Sequence, residues 1–171
     1  MSTRPNLAAN RSPNWAFMQR FEVPDYDHPE RNYLTRWRLV QTPWFGVYLH
    51  RLGGPDPRPT LHDHPWTFRS LVLCGGYSEV RRDNYDGGTV RREVTRTNVM
   101  RTHDAHYIRA LHRTPTWTLL LVGARRRAWG YIEDGNWTRF DLHRHNDAFL
   151  EALSVRAAST SGVAGEGETT P

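Results

Sequence analysis

The sequence predicts one all-β domain, folded as an antiparallel barrel or jelly roll, with a short helix after the last strand. Short strand-like segments follow one another, separated by turn-forming clusters of glycine, proline, asparagine and aspartate. Segments with helical periodicity are scarce, while 13 glycines and 11 prolines are spread along 171 residues. No internal repeat with a fixed long period is present, and antiparallel barrels and jelly rolls are usual architectures for such a pattern.

Residues 1–32 are expected to form an N-terminal arm and covering segment, ahead of a barrel domain at residues 33–142. Residues 1–14 are polar and contain two prolines, which predicts a loose arm. The apolar patch at residues 15–21 is expected to lie over the sheet as a strand or a helical turn.

Alternating apolar and polar residues predict nine or ten strands in the barrel domain. A loop rich in glycine and proline at residues 53–59 interrupts them, because proline cannot donate to a strand ladder. Residues 116–123 form the clearest core strand, and the pair Asp134-Gly135 predicts a hairpin turn. The predicted strands are 33–40, 45–52, 71–74, 77–82, 89–95, 98–106 (a short strand and a turn), 107–111, 116–123, 128–132 and 136–140.

The last part of the chain predicts one short helix and a disordered tail. The helix is placed at residues 143–156, because apolar residues recur on one face: Phe149, Leu150 and Leu153. Residues 157–171 consist mostly of alanine, serine, threonine, glycine and glutamate, a composition typical of disorder.

The composition excludes several classes of protein. The single cysteine, Cys74, excludes an intramolecular disulfide and a cysteine-based zinc site, and its apolar surroundings predict a small buried side chain. The first residues lack the apolar core of a signal peptide, and no run approaches the roughly 18 apolar residues of a membrane span. We therefore expect a soluble, cytoplasmic protein with no membrane partner.

The formal net charge of +5 comes from arginines that lie inside strand-like segments and do not form a tail. Such charges are typical of the solvated face of a sheet, and the alternative is a surface or cleft for anionic substrates or nucleic acid. No nucleic-acid-binding module is recognisable in the sequence. A nucleic-acid partner is therefore not expected.

The pair His62 and His64 is the main chemical signal of the sequence. On an extended strand, residues two apart point to the same side, so both imidazoles could reach one metal ion. An apolar run at residues 71–74 and the pair Gly75-Gly76 follow, which predicts a buried strand that runs into a turn. Together they predict a metal site at the mouth of the β structure.

A metal site needs at least three protein ligands, with open positions left for substrate or oxygen. His106 is the best third ligand because it opens a strand that could hold its side chain rigidly. His103, in the preceding turn, is the alternative. The histidines could also be structural, as hydrogen-bonding residues of a loop or a strand.

These motifs resemble those of cupins. In the first cupin motif, a His-x-His pair precedes an acidic ligand and then a glycine, and here Gly75 and Gly76 follow His62 and His64 at that distance. The second motif ends in a histidine that opens a strand. His106 matches that histidine, while the proline and glycine expected before it are absent.

The resemblance covers about residues 35–141 and departs from the family at the acidic ligand, where Phe68 or Arg69 stands. The remaining three-histidine set, His62, His64 and His106, resembles that of thiol-dioxygenase-type cupins. The resemblance implies a divalent metal, with Fe(II) as the first choice and Zn, Ni or Mn as alternatives. It also implies a homodimer, because cupins commonly pair through sheet edges.

Three residues near these histidines are predicted to support them. Asp63 and Asp104 alternate away from the neighbouring histidines, so they either face solvent or orient imidazoles as outer carboxylates. His103 is placed in the same supporting group. Four other histidines are expected at the surface: His28, His112, His143 and His145.

A further group is predicted to contact the substrate. Arg69, at a position where cupins hold glutamate, could clamp a carboxylate or phosphate, unless strand alternation turns it outward. Trp66 and Phe68 follow His64 at even spacing and should face the interior. The remaining members are His50, on a core-like strand, and Tyr107; further candidates are Arg36, Arg38, Tyr48 and Arg109.

The function expected from these residues is that of a metal-dependent cupin enzyme, with an Fe(II) oxygenase acting on a small polar or anionic substrate as the leading hypothesis. One alternative is a non-catalytic cupin that binds a small ligand, and another is a Zn, Ni or Mn isomerase or hydrolase. A nucleic-acid-associated β protein is the weakest alternative. Catalytic groups beyond the metal ligands are not identifiable.

Overall fold

The structure is a computed structural model that describes residues 15–83 and 87–162. The predicted arm at residues 1–14 and the tail beyond residue 162 lie outside the described residues. Within these ranges the chain forms twelve strands, a short 3-10 helix at Phe140–Leu142 and the helix α1 at Arg144–Gly162. The strands are β1 (Ala16–Pro24), β2 (Asn32–Gln41), β3 (Phe45–Leu52), β4 (Leu61–His62), β5 (Phe68–Cys74), β6 (Tyr77–Arg82), β7 (Thr89–Val94), β8 (Thr97–Met100), β9 (His106–Leu111), β10 (Thr116–Gly123), β11 (Gly130–Glu133) and β12 (Asn136–Arg139).

The twelve described strands form two six-stranded antiparallel sheets. The first sheet has the order β1-β2-β3-β10-β5-β8, and the second has the order β12-β11-β4-β9-β6-β7. Strands far apart in sequence are neighbours in both sheets, as β3 and β10 or β4 and β9 are, so the chain passes repeatedly from one sheet to the other. This is the antiparallel jelly roll predicted from the sequence, and the predicted fold class is confirmed.

Strand alternation places the core between the two sheets. On β3 the buried residues are every second one, and Tyr48, His50 and Leu52 all point inward. The paired strand β10 has the same alternation, and in the register Tyr48 lies opposite Leu120. One buried cluster contains Tyr48, Phe68, Met100, Leu120 and Val122, and a second contains Leu34, Leu52, Tyr77 and Val94.

Several elements differ from the sequence-based expectation, including β1, β4 and α1. The patch expected to cover the sheet is strand β1, which pairs with β2 and forms the edge of the first sheet. Strand β4 was not predicted, because two residues after a proline-rich loop show no alternation. Helix α1 continues to Gly162, so it includes six residues that were assigned to the disordered tail.

The turn between β5 and β6 depends on its two glycines. Gly75 has φ +87° and Gly76 has φ +145°, conformations that residues with a Cβ rarely adopt. A Cβ at Gly75 would overlap the Thr116 side chain, whose hydroxyl donates to the Gly76 carbonyl at 3.0 Å. The turn thus holds β6 against the start of β10.

In the described residues, no helix has the length and apolarity needed to cross a membrane.

Candidate metal centre

The three predicted metal ligands come from strand β4, the loop that follows it and the first residue of strand β9. In the second sheet His62 lies opposite His106 on one side and opposite Tyr131 on the other. His64 is two residues further along the chain, and its ring stands edge-on to Phe68 with a 5.0 Å separation of centroids. The register of a short central strand therefore brings residues from distant parts of the chain together.

The three imidazoles form a nearly equilateral group. The ring centroids are 5.3 Å apart for His62 and His64, and 5.2 Å apart for each of these rings and His106. One ligand atom of each residue lies within 4.8 Å of the corresponding atoms of the other two. The structure thus brings together the three residues named from the sequence, and their assignment as metal ligands stays a prediction.

The donor atoms fit a divalent metal ion. Nε2 of His64 lies 3.0 Å from Nε2 of His106. Two ligands at right angles around a metal, each with a metal–nitrogen distance of about 2.1 Å, have nitrogens about 3.0 Å apart. Without an ion, this contact requires a proton on one of the two nitrogens, whereas a metal would use both lone pairs.

Hydrogen bonds made by the Nδ1 atoms orient two of the imidazoles, those of His106 and His62. Nδ1 of His106 donates to Oε2 of Glu79 at 2.7 Å, and Nδ1 of His62 donates to the Thr60 carbonyl at 3.3 Å. Both bonds leave Nε2 with a free lone pair, which is the usual arrangement for metal-binding histidines. Glu79 is fully buried, and its Oε2 also accepts from the side-chain amide of Asn98 at 2.9 Å.

The electrostatics of the site favour neutral imidazoles at His62 and His64 and an ionised carboxylate at Glu79. Burial lowers the pKa of His62, and burial together with the charge of neighbouring histidines and Arg36 lowers the pKa of His64 well below its ordinary value. Burial alone would raise the pKa of Glu79, but the hydrogen bond from His106 and the charges around it bring that pKa below its ordinary value. Neutral histidines are the form that binds metal.

The residues predicted to orient the imidazoles have other partners. Asp63 accepts from the Gly130 amide at 2.7 Å and from the Trp137 indole at 2.9 Å, so it holds the β11–β12 hairpin in place. Asp104 forms an ion pair with Arg81. The prediction was wrong for both carboxylates because the loops that carry them turn each side chain toward a neighbouring strand.

His103 is also outside the three-histidine group. It is exposed, and its Nδ1 accepts from the guanidinium of Arg127 at 3.3 Å. His143 was expected at the surface, yet it is buried and its Nε2 lies 3.1 Å from Glu133. His28 and His112 are exposed as predicted, and nothing is described of the His145 side chain.

A cavity of about 440 Å³ opens between the two sheets, and all three histidines line it. This volume is in the range of about 300–1,000 Å³ that is typical of sites for small molecules. Its aromatic lining residues are Phe21, Tyr26, Tyr33, Tyr48, Trp66, Phe68, Tyr77, Trp129, Tyr131, Phe140 and Phe149. Its charged lining residues are Arg36, Arg38, Asp56, Arg125, Arg139 and Asp141.

Three of the five predicted substrate-contacting residues line this cavity, namely His50, Trp66 and Phe68. Arg69 does not, because on strand β5 Phe68 and Ser70 point inward and Arg69 is exposed on the outer face. Tyr107 does not either, because it follows the inward-facing His106 on β9 and points the other way. Neither residue therefore lines this cavity, and for Arg69 this is the outward orientation that strand alternation left open.

Two features of the site were not recognised from the sequence. Glu79 was not considered, since its contact with His106 depends on the pairing of β6 with β9, which no local pattern reveals. Arg36 and Arg38 were only minor candidates. Their spacing of two residues on an alternating strand was the available signal, because it places both guanidinium groups on one face.

Neither a protein-family model nor a curated protein sequence matches this chain. Among solved structures, an RmlC-like cupin from Shewanella frigidimarina NCIMB 400 matches with 14% identity over 68% of this chain and 95% of its own, at a TM-score of 0.44.

Two larger proteins match over part of their length. An oxalate decarboxylase has 14% identity over 63% of this chain and 28% of its own, at a TM-score of 0.47. HEPD from Streptomyces albus, with 2-hydroxyethylphosphonate and Fe(II) bound, has 18% identity over 63% of this chain and 24% of its own, at a TM-score of 0.45. The two antiparallel sheets form the jelly roll that the sequence predicted, and the three-histidine group lies where strands β4 and β9 meet.

Proposed function

We propose that this protein is an Fe(II)-dependent oxygenase that acts on a small anionic organic molecule bound in the cavity. The observation that carries the proposal is the three-histidine group, which lines a cavity of about 440 Å³. Among the described residues, no carboxylate belongs to this group. Three neutral ligands would leave a divalent ion with its full charge and with open positions for substrate and O₂.

His62, His64 and His106 would hold the metal, which when bound would supply Lewis acidity and, as iron, a site for O₂. Glu79 fixes the orientation of His106 and compensates part of the positive charge of the site. The many aromatic residues of the lining lower the polarity around the site, and this strengthens electrostatic interactions inside the cavity. The imidazoles of His62 and His64 favour the neutral form, because burial lowers the pKa of both.

A Zn, Ni or Mn isomerase or hydrolase is the second candidate, because an all-imidazole ligand set suits several divalent metals. Metal identity therefore separates the two candidates. The small-molecule substrate and the homodimer expected from the sequence also remain proposals. Size-exclusion chromatography with light scattering tests the homodimer.

Metal analysis of untagged protein, combined with oxygen consumption, tests the proposed function. We expect about one equivalent of metal per chain, and a fall below about 0.2 equivalents in His62→Ala and in His106→Ala. His112→Ala is the matched control, because His112 is exposed, pairs with Glu93 at 2.7 Å and does not line the cavity. Metal content that is unchanged in both ligand variants would refute the metal site.

Oxygen consumption by the Fe(II)-loaded protein is measured with a panel of small organic anions. An increase that disappears in His106→Ala and persists in His112→Ala is the expected result. A bound metal without oxygen consumption, but with turnover under anaerobic conditions, would favour the isomerase or hydrolase.

A further inference from the structure

The cavity contains two arginines whose charge is not compensated by the protein. Arg36 and Arg38 lie two residues apart on strand β2, and both line the cavity. Arg38 is only 9% exposed, and its Nε is buried without a hydrogen-bond partner. Burying an N–H donor of a charged group without an acceptor costs free energy. The unpaired Nε of Arg38 therefore indicates an acceptor that comes from a bound molecule and not from the folded chain.

The protein contacts of Arg36 are with uncharged groups. Its Nε donates to Nε2 of His50 at 2.8 Å, and its guanidinium lies 5.5 Å from the centre of the Tyr48 ring. Burial lowers the pKa of His50 well below its ordinary value, so this imidazole is neutral. Within residues 15–83 and 87–162, no carboxylate forms an ion pair with Arg36 or Arg38, although most ion pairs of this protein involve arginine.

The positive charge is concentrated in the interior of the cavity. Of the other two arginines that line it, Arg125 is exposed and Arg139 forms an ion pair with Asp141 at 2.5 Å. These two belong to the rim, where water screens charge. Inside the cavity, an oxyanion would meet two guanidinium groups in a water-poor environment, where charge-assisted hydrogen bonds are strong.

The remaining walls suit an apolar body attached to that oxyanion. The rings of Trp129 and Phe140 stack with a centroid distance of 4.3 Å, and Trp66 stands edge-on to Tyr48 at 6.0 Å. Such flat aromatic surfaces favour aromatic or extended apolar groups. A fully hydrophilic anion would leave these walls without a partner.

We propose that Arg36 and Arg38 form an oxyanion subsite that takes the carboxylate or phosphonate group of an amphipathic substrate, with an aromatic body that packs against the aromatic walls. The identification of this ligand as the substrate rests on the proposed function, while the binding itself does not. The subsite and the three histidines line one cavity, so a ligand anchored by its anionic end can present its other part to the metal centre.

Calorimetric titration of the full-length protein, as purified and after metal removal, tests the subsite. The probes are 3-phenylpropanoate, its neutral amide 3-phenylpropanamide, 2-phenylethylphosphonate and acetate. We expect one or both aromatic anions to bind at least about 10-fold more tightly than the amide, as for a charge-assisted hydrogen bond, and more tightly than acetate. The relative affinity of the carboxylate and the phosphonate then identifies the preferred oxyanion.

Arg38→Met removes the charge and keeps a side chain of similar length. In this variant the anions and the amide should bind with similar affinity, whereas Arg69→Met, a control on the outer face, should retain the wild-type preference. The melting temperature of ligand-free Arg38→Met should equal or exceed that of the wild type, since an unpaired buried charge has been removed. A lower melting temperature of Arg38→Met would contradict the inference that the charge of Arg38 is uncompensated in the ligand-free protein.

Three results would overturn the subsite. They are equal binding of anion and amide to the wild type, no binding of any aromatic probe, and an equal loss of anion and amide binding in Arg38→Met. Failure of the oxygenase proposal gives a different result. In that case the anion preference and its dependence on Arg38 persist, but no oxygen is consumed.

Discussion

Glu79→Gln is the most direct test of how the fold prepares His106 for metal binding. Glu79 is fully buried, and its Oε2 accepts from His106 at 2.7 Å and from Asn98 at 2.9 Å. Glutamine has the same shape and keeps an oxygen for His106, but it removes the negative charge. Its amide nitrogen would also take the place of Oε1, which is buried without a hydrogen-bond partner.

Loss of such an outer-sphere carboxylate weakens metal binding by about 10- to 100-fold, or about 1.4–2.7 kcal/mol. We expect the upper part of this range, because the Glu79–His106 bond is short and screened from water. Competition with a chromophoric chelator, using Zn(II) and the metal-free protein, measures the affinity. Glu93→Gln is the matched control, because Glu93 also pairs with a histidine at 2.7 Å but is exposed.

The orientation argument is refuted if Glu79→Gln binds metal as tightly as the wild type. It is also refuted if Glu93→Gln loses as much affinity as Glu79→Gln does. Circular dichroism of both variants shows whether the fold is retained. A retained fold with weakened metal binding in Glu79→Gln alone is the expected outcome.

Two further predictions concern stability. Gly75→Ala places a Cβ at a residue with φ +87° and in contact with the Thr116 side chain, so the free energy of unfolding in urea should fall by about 2 kcal/mol or more. Gly54→Ala is the control, because a Cβ at Gly54 would meet nothing within 4 Å, and it should change the free energy of unfolding by less than about 0.5 kcal/mol. Burial and a nearby guanidinium lower the pKa of His50 in the folded protein. Below a pH of about 6.5, this residue therefore takes up a proton in the unfolded chain but not in the folded one. As the pH falls, the free energy of unfolding of the metal-free protein should decrease by up to about 1.4 kcal/mol per pH unit because of this residue. His50→Gln should reduce that pH dependence and His28→Gln should not; equal profiles for both variants would contradict the burial of a neutral imidazole.

The sequence predicted the parts of the fold that follow from local alternation. Strand β3 begins and ends where the pattern of apolar residues predicted, and the even spacing from His64 correctly placed Trp66 and Phe68 inside. The three-histidine group could be named because two members are separated by a single residue and the third opens a strand. These inferences need no knowledge of which strands are neighbours.

Features that depend on strand neighbours could not be predicted. The bond between Glu79 and His106 exists because β6 lies beside β9, and Asp63 turns toward Gly130 because β11 lies beside β4. The two orientations left open for Arg69 have a simpler origin. The family motif gave its position only to within one residue, and on a strand one residue decides between interior and solvent.

The two-residue strand β4 has a consequence for the order of events in folding. His64 and His106 are 42 residues apart in the chain, and they meet only when β4 inserts between β9 and β11. Closing so long a loop costs entropy, and only one register pair with β9 and two with β11 fix the place of β4. A metal ion that joins the three histidines would cross-link β4 to β9, and so would connect strands β12, β11 and β4 to strands β9, β6 and β7. Metal loading would therefore complete the assembly of the second sheet and slow the separation of these two sets of strands.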